Sequence, residues 1–139
     1  MYRMNPKQEF EMISRGNHEE IMAYIAERPL YDESQELLVR RGNHEEIMTY
    51  INKYFSLSVE AAKALVERGN HKEIMTYISE MPLYDEAETA LLRRGNHEEI
   101  MKYVSDYLIS DEAYKVLCEH GNKEEIETYL YEHGNNTIH

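Results

Sequence analysis

Histidines that recur beside glutamates are the residues of this sequence best suited to chemistry. They stand at His18, His44, His71 and His97, spaced 26, 27 and 26 residues apart. Imidazole and carboxylate groups can hold zinc, but zinc ligands must converge on one point with bonds of about 2 Å. Equivalent residues of stacked helices lie about 8–10 Å apart. We therefore expect no metal site, and the ring nitrogens are predicted to bond the backbone of an adjacent repeat.

Tyrosines recur with the same period, at Tyr24, Tyr50, Tyr77, Tyr103 and Tyr129. Such a column could stack on bases or on aromatic peptide side chains. Its position at the edge of an apolar helix face instead favours packing between helices, with each hydroxyl at the surface. The sequence contains no Ser-His-Asp pattern, no phosphate-cradling glycine loop and no cysteine cluster. We expect no catalytic residues, no cofactor and no enzymatic activity.

A repeated stop-and-start signal positions these side chains. Every glycine is followed by asparagine, and successive glycines are 26, 27, 26, 26 and 13 residues apart. Glycine is predicted to end a helix in the left-handed conformation, and asparagine to cap the next helix in a capping box with a glutamate three residues later. The predicted caps are Gly16, Asn17, Gly42, Asn43, Gly69, Asn70, Gly95, Asn96, Gly121 and Asn122. Such a period indicates a repeat array.

Two kinds of short helix alternate in the predicted array. One follows each Gly-Asn pair and carries apolar residues at helical spacing. The other follows a short apolar segment; its predicted caps are Asp32, Ser58, Asp85 and Asp111, with Gln35 and Glu88 completing a box in two cases. Helices this short are marginal alone and must stack. The sequence predicts an all-α fold, an α-solenoid of about five 26-residue helical-hairpin repeats with about ten short helices.

The array is predicted to form a single domain over residues 1–139, with a frayed tail at 136–139. The last repeat has Lys123 and Glu127 where earlier repeats have histidine and methionine. A terminal repeat needs polar residues where no further repeat covers it. We therefore expect the histidine and methionine columns to face the following repeat.

The segment from Gly95 to Val104, read Gly-Asn-His-Glu-Glu-Ile-Met-Lys-Tyr-Val, resembles the second helix of ankyrin repeats. The period of 26 residues, against about 33 in ankyrins, leaves no room for the ankyrin β-turn finger. What remains is similar to HEAT-like and leucine-rich-repeat-variant arrays. Those families mostly bind macromolecules along an extended surface, and the resemblance implies the same role here.

Charge narrows the class of partner. The 139 residues include 15 basic and 27 acidic residues, a formal net charge of −12. Nucleic-acid binding draws on clustered Lys and Arg, so no nucleic-acid partner is expected. An acidic surface also repels anionic membranes and attracts basic proteins. With no signal peptide or membrane-spanning run, a cytoplasmic protein is expected. The one cysteine, Cys118, lies in an apolar run and is predicted to be buried.

Positions that differ between similar repeats indicate where a partner could bind, because the fixed positions hold the stack. The alternative is that they vary because nothing depends on them. The candidate surface comprises Tyr31, Glu33, Thr49, Tyr54, Thr76, Tyr84, Glu86, Lys102, Tyr107 and Tyr114. We expect a non-enzymatic scaffold that binds a protein or peptide, with a basic partner. The alternatives are a structural module that forms a homo-oligomer and, third, a metal-binding or enzymatic protein.

Overall fold

A computed structural model describes residues 4–137, and these form ten α-helices without any strand. The helices are α1 (Pro6–Arg15), α2 (His18–Glu27), α3 (Asp32–Arg41), α4 (His44–Tyr54), α5 (Val59–Arg68), α6 (His71–Glu80), α7 (Asp85–Arg94), α8 (His97–Asp106), α9 (Asp111–His120) and α10 (Lys123–Thr137). Of the predicted frayed tail, residues 136 and 137 belong to α10, and residues 138 and 139 lie outside the described residues. Within the described chain, no helix is long and apolar enough to cross a membrane.

The helices form two stacked layers. The odd layer consists of α1, α3, α5, α7 and α9, and the even layer consists of α2, α4, α6, α8 and α10; each helix contacts the next helix of its own layer. Every odd helix also contacts the even helix that follows it in the chain. The fold is therefore an array of about five helical hairpins, which confirms the predicted architecture.

The odd layer is packed through small side chains. Ala61, Ala64, Ala87 and Ala113 are completely buried, and leucines such as Leu91 fill the space beside them. The odd helices pack on one another more extensively than most even helices do. Small residues at a helix contact allow the two axes to approach closely. The even layer buries bulkier isoleucine and tyrosine side chains.

The predicted capping boxes are present at four of the five even helices. At α4 the Asn43 side chain accepts a hydrogen bond from the Glu46 backbone N–H at 2.9 Å, and the Glu46 carboxylate accepts one from the Asn43 N–H at 3.2 Å. The same pair of bonds begins α6, α8 and α10. At α2 only the Asn17 bond forms, because the Glu20 carboxylate pairs with Arg15 instead.

The caps predicted for the odd helices are mostly wrong. Ser58 caps α5 as predicted, but α9 is capped by Ser110, one residue before the predicted Asp111. The helices α3 and α7 begin at Asp32 and Asp85 themselves, so neither residue acts as the cap. Their acidic side chains instead lie in the first turn, where the positive end of the helix dipole favours them.

Among the glycines of the described residues, Gly16 alone has the left-handed conformation, with a φ of 71°. Gly69 has an extended conformation, with φ −71° and ψ 158°, and Gly42, Gly95 and Gly121 are similar, so the prediction is wrong for these four. The structure gives a different reason for glycine. A Cβ at Gly69 would lie 2.5 Å from the Leu65 carbonyl oxygen and 2.9 Å from Leu65 Cδ1. These glycines permit a close approach of the chain to the end of the preceding helix.

Cys118 is exposed, contrary to the prediction. The equivalent residues of the preceding odd helices, Val66 and Leu92, are buried. Each is followed by another odd helix in the stack, whereas α9 is the last odd helix of the described chain. An apolar run therefore does not decide burial at the end of a stack.

Asparagine substitutions distinguish the two roles of glycine, because asparagine tolerates the left-handed conformation but carries a Cβ. We expect Gly16→Asn to change the free energy of unfolding by less than about 1 kcal/mol. We expect Gly69→Asn to lower it by about 1–3 kcal/mol, the usual cost of an overpacked site. Urea denaturation of the two variants measures both values. Equal effects would contradict the close-approach role of Gly69.

Candidate functional site

Each histidine of the recurring column reaches into the next repeat. Its Nδ1 lies 2.6–2.7 Å from Oε2 of the capping-box glutamate of that repeat, in the pairs His18–Glu46, His44–Glu73, His71–Glu99 and His97–Glu125. We call these four pairs the His–Glu ladder. The prediction that this column faces the following repeat is confirmed. The predicted backbone partner is wrong, because Nδ1 of each ring meets a carboxylate.

The glutamate of each ladder pair serves two repeats at once. Glu46, for example, accepts the Asn43 backbone N–H through Oε1 and the His18 ring N–H through Oε2. Its side chain is buried, as are those of the other three ladder glutamates. A buried carboxylate is costly unless it is paired and hydrogen-bonded. The shared glutamate therefore requires both its own helix N-terminus and the neighbouring histidine.

A second carboxylate contacts three of the four ladder histidines. The Nε2 atoms of His18, His71 and His97 lie 3.0–3.1 Å from the exposed glutamates Glu45, Glu98 and Glu124. For these three histidines, the hydrogen bond to the buried glutamate is the largest cause of a raised pKa. A protonated imidazole donates from both nitrogens, so it satisfies both carboxylates. At the equivalent position opposite His44 the chain has Lys72.

The tyrosine column is buried, and its hydroxyls lie inside the protein, contrary to the prediction. Tyr50 accepts the backbone N–H of Leu30 at 3.0 Å, and Tyr103 accepts that of Leu83 at 2.9 Å. Tyr77 and Tyr129 accept equivalent bonds. Burial raises the pKa of Tyr50 to about 12. These hydroxyls fix the segment that leads from an even helix into the next odd helix.

Three polar residues beneath these tyrosines have a role that sequence reasoning did not predict; Glu9 was not singled out, and Gln35 and Glu88 were predicted to complete capping boxes. Glu9 accepts from the Tyr24 hydroxyl at 2.7 Å and from the Tyr31 N–H at 2.8 Å. Glu88 accepts from Tyr103 and the Ser110 N–H in the same way. Gln35 accepts from the Ser58 N–H.

Glu9, Gln35 and Glu88 occupy the fourth position of their helices. They therefore join consecutive repeats and do not complete the capping boxes predicted for Gln35 and Glu88. The sequence feature that could have indicated this role is a polar residue on an otherwise apolar helix face.

The His–Glu ladder and the tyrosine hydrogen bonds give the recurring histidine, glutamate and tyrosine side chains structural roles. Among the described residues, no group of three or more His, Cys, Asp and Glu side chains is arranged to hold a metal ion. The ladder joins neighbouring repeats through buried glutamates, and the tyrosine bonds hold the segments between helices. A partner would therefore meet the positions that differ between repeats.

The ten candidate surface residues are divided between the two layers. Tyr54 and Tyr107 donate hydrogen bonds to the carbonyls of Ile25 and Ile78, so they join neighbouring repeats. Tyr31 is half-buried and donates to the Met4 carbonyl at 3.3 Å.

The other seven candidates differ in their exposure and in the layer to which they belong. Thr49, Thr76, Lys102 and Tyr114 are half-buried, whereas Glu33, Tyr84 and Glu86 are exposed. The three exposed residues lie in or directly before odd helices. Partner binding by the set stays a prediction.

The exposed face of the odd layer contains two adjoining grooves. One, of about 490 Å³, spans α3, α5 and α7 and is lined by Glu36, Arg40, Val59, Glu60, Lys63, Asp85 and Glu86. The other, of about 450 Å³, spans α7 and the start of α9 and is lined by Asp85, Glu86, Thr89, Arg93, Ser110 and Glu112. They share two residues, so we treat them as one continuous depression, the odd-layer trough.

The ladder predicts a pH-dependent stability. Three histidines have a raised pKa in the folded state against about 6.5 in an unfolded chain. Their contribution is complete below pH 6.5 and is lost as pH rises through the folded-state pKa values. The thermal midpoint should therefore decrease as the pH rises from about 6 to about 8. Substituting His18, His71 and His97 with glutamine should flatten this slope.

The control for this experiment is His120→Gln, which changes a histidine outside the ladder. It should leave the pH slope of the thermal midpoint unchanged, because His120 makes no ion pair with a glutamate within the described residues. Persistence of the full slope in the triple variant would contradict the assignment of proton binding to the ladder.

Two tyrosines of the column test the role of Glu88. The Tyr103 hydroxyl accepts a hydrogen bond from the Leu83 N–H and donates one to the buried Glu88 carboxylate. The Tyr77 hydroxyl accepts a hydrogen bond from the Leu57 N–H. Removing the hydroxyl in Tyr103→Phe leaves the Glu88 carboxylate without one partner. We expect a loss of about 2 kcal/mol for Tyr103→Phe and about 1 kcal/mol for Tyr77→Phe. Urea denaturation gives both values, and a larger loss at Tyr77 would refute the tie through Glu88.

Comparison of the chain with known protein families, with curated proteins and with solved structures gives no significant match. The repeat architecture rests on the helices and their contacts. Function has to be argued from the chemistry of the surface.

Proposed function

We propose that this protein is a non-enzymatic repeat scaffold that binds a basic protein or peptide along the outer face of its odd layer. The observation that carries the proposal is the charge of the odd-layer trough. Its lysine and one of its arginines are already paired with its own acids, Lys63 with Glu86 at 2.7 Å and Arg40 with Glu36 at 3.0 Å. Within the described residues, Glu60 and Glu112 make no ion pair. The lining carries five carboxylates, from Glu36, Glu60, Asp85, Glu86 and Glu112, against the three cations of Arg40, Lys63 and Arg93, so we expect the trough to attract cations from outside.

The division of work between the layers supports the same surface. In the even layer the recurring histidines, tyrosines and glutamates are engaged in holding neighbouring repeats together. The outer face of the odd layer is exposed at the second residue of α3, α5, α7 and α9, where glutamate recurs, while other exposed positions of this face differ from repeat to repeat. In a solenoid, such positions are free to suit a partner.

The overall charge limits the partners that we propose. A net charge of −12 repels nucleic acids and anionic membranes and attracts basic proteins. We accordingly propose a protein or peptide partner and a cytoplasmic location. No group in the ladder or the trough is assigned a catalytic role.

Affinity capture tests the proposal. The purified protein, immobilised and incubated with nuclease-treated lysate of its source, should retain a discrete basic protein at about 50 mM salt and release it at about 300 mM. The double variant Glu60→Lys/Glu112→Lys should retain much less of this basic protein, because it reverses two unpaired charges of the trough. The matched control is Glu19→Lys/Glu119→Lys, with the same change of charge on exposed residues at the opposite ends of the hairpins.

Recovery of the bait alone would count against the proposal. If light scattering then showed a mass above that of the monomer, a self-assembling module would replace it. Equal loss of the captured protein in the variant and in its control would show that binding does not involve the trough.

A further inference from the structure

We propose that the odd-layer trough recognises an extended protein segment with lysine or arginine at about every third residue. This inference rests on the proposed function and specifies the partner of the same site. It follows from a column of carboxylates, the spacing of that column, and the apolar side chains beside it.

The second residue of each odd helix forms the column. From α1 to α9 these residues are Lys7, Glu33, Glu60, Glu86 and Glu112. The four glutamates are exposed. The N-terminus of α5 bonds to the fourth residue of α3, and the N-terminus of α9 to that of α7. The odd helices therefore run parallel, and the four carboxylates lie in one row at the same edge of the layer.

The spacing of this row selects the conformation of the partner. Packed helices lie about 8–10 Å apart. A polyproline II helix rises about 3.1 Å per residue with three residues per turn, so every third residue recurs after about 9 Å. An α-helix repeats after about 5.4 Å, and a β-strand presents the same face after about 6.6 Å. The polyproline II conformation is the one whose side chains match one glutamate per repeat.

Apolar side chains beside the row provide contacts for the residues between the cations. Tyr84, Leu108 and Phe55 are 60%, 56% and 44% exposed, and all three lie in segments that lead into odd helices. Val59, at the start of α5, lines the trough. Proline-rich extended segments dock on exposed aromatic side chains in other recognition domains. This edge therefore combines regularly spaced acids with apolar surface.

Charge decides between possible occupants of the trough. Glu33, Glu60 and Glu112 make no ion pair within the described residues, and Glu86 shares its carboxylate with Lys63, which lowers the pKa of Glu86. A second copy of the chain would bring a further charge of −12 and would be repelled. The occupant that fits is a cationic segment of another protein.

Two synthetic peptides test this inference. One carries arginine at every third position of about twelve residues, with proline and alanine between; the other has the same composition with its arginines in one block. By fluorescence anisotropy at about 50 mM salt, we expect the spaced peptide to bind at least about fivefold more tightly than the block peptide. Glu60→Lys/Glu112→Lys should weaken binding of the spaced peptide about tenfold, and Glu19→Lys/Glu119→Lys by less than about twofold.

A second variant isolates the apolar contacts. Tyr84→Ala should weaken binding of the spaced peptide about threefold and leave the affinity for the block peptide unchanged, because only an extended segment follows the row of repeats. Circular dichroism of every variant confirms that its helices are retained.

The outcomes separate the two proposals. Equal affinity for the two peptides, equal loss in the two double variants, or full competition by spermine would overturn the inference and leave a basic partner in place. If neither peptide bound while lysate capture succeeded, the inference would fail and the proposed function would stand. Failure of both experiments would overturn both.

Discussion

The buried carboxylate shared between consecutive repeats is the constraint from which the recurring motif follows. Glu46 caps its own helix through the Asn43 N–H and bonds His18 of the preceding repeat. The same carboxylate limits the residue before Asn43, because a Cβ at Gly42 would lie 3.1 Å from Glu46 Oε1 and 2.5 Å from the Leu38 carbonyl oxygen. Glycine, asparagine, histidine and glutamate thus recur together because each one allows the buried charge to be satisfied.

The two layers meet different physical demands. The even layer joins repeats through hydrogen bonds of long polar side chains, which set a separation that imidazole and carboxylate can bridge. The odd layer joins them through alanines that allow close contact between helices. Contacts between alanines do not involve side chains on the outer face of the helix. The residues on that face are therefore free to vary. The trough lies in the odd layer for this reason.

The sequence predicted the helices and most asparagine capping boxes well, but the odd-helix caps, the glycine conformations and the contacts between repeats poorly. Ten helices and the asparagine capping boxes follow from signals within about four residues, and the structure confirms the helices and four of the five boxes. The histidine partner and the buried tyrosine hydroxyls depend on how chain segments 20 to 29 residues apart align. The extended glycines have their close contacts within four residues. Glu88 illustrates the difficulty. It follows Asp85 by three residues, as in a capping box, but α7 begins at Asp85 and the carboxylate turns towards Tyr103.

Among the inner repeats, the one formed by α5 and α6 departs from the common pattern at several positions. Ala62 occupies the position at which Glu9, Gln35 and Glu88 join neighbouring repeats, and Lys72 replaces the outer glutamate of the ladder. Phe55, just before this repeat, has a positive φ of 62°, which is uncommon for a residue other than glycine. Each of these departures removes a polar contact or adds strain within the stack. The larger groove of the trough is centred on α5. A repeat that lacks two of the recurring polar side chains thus carries the middle of the proposed binding surface, and residues released from stacking are the ones that can be adapted to a partner.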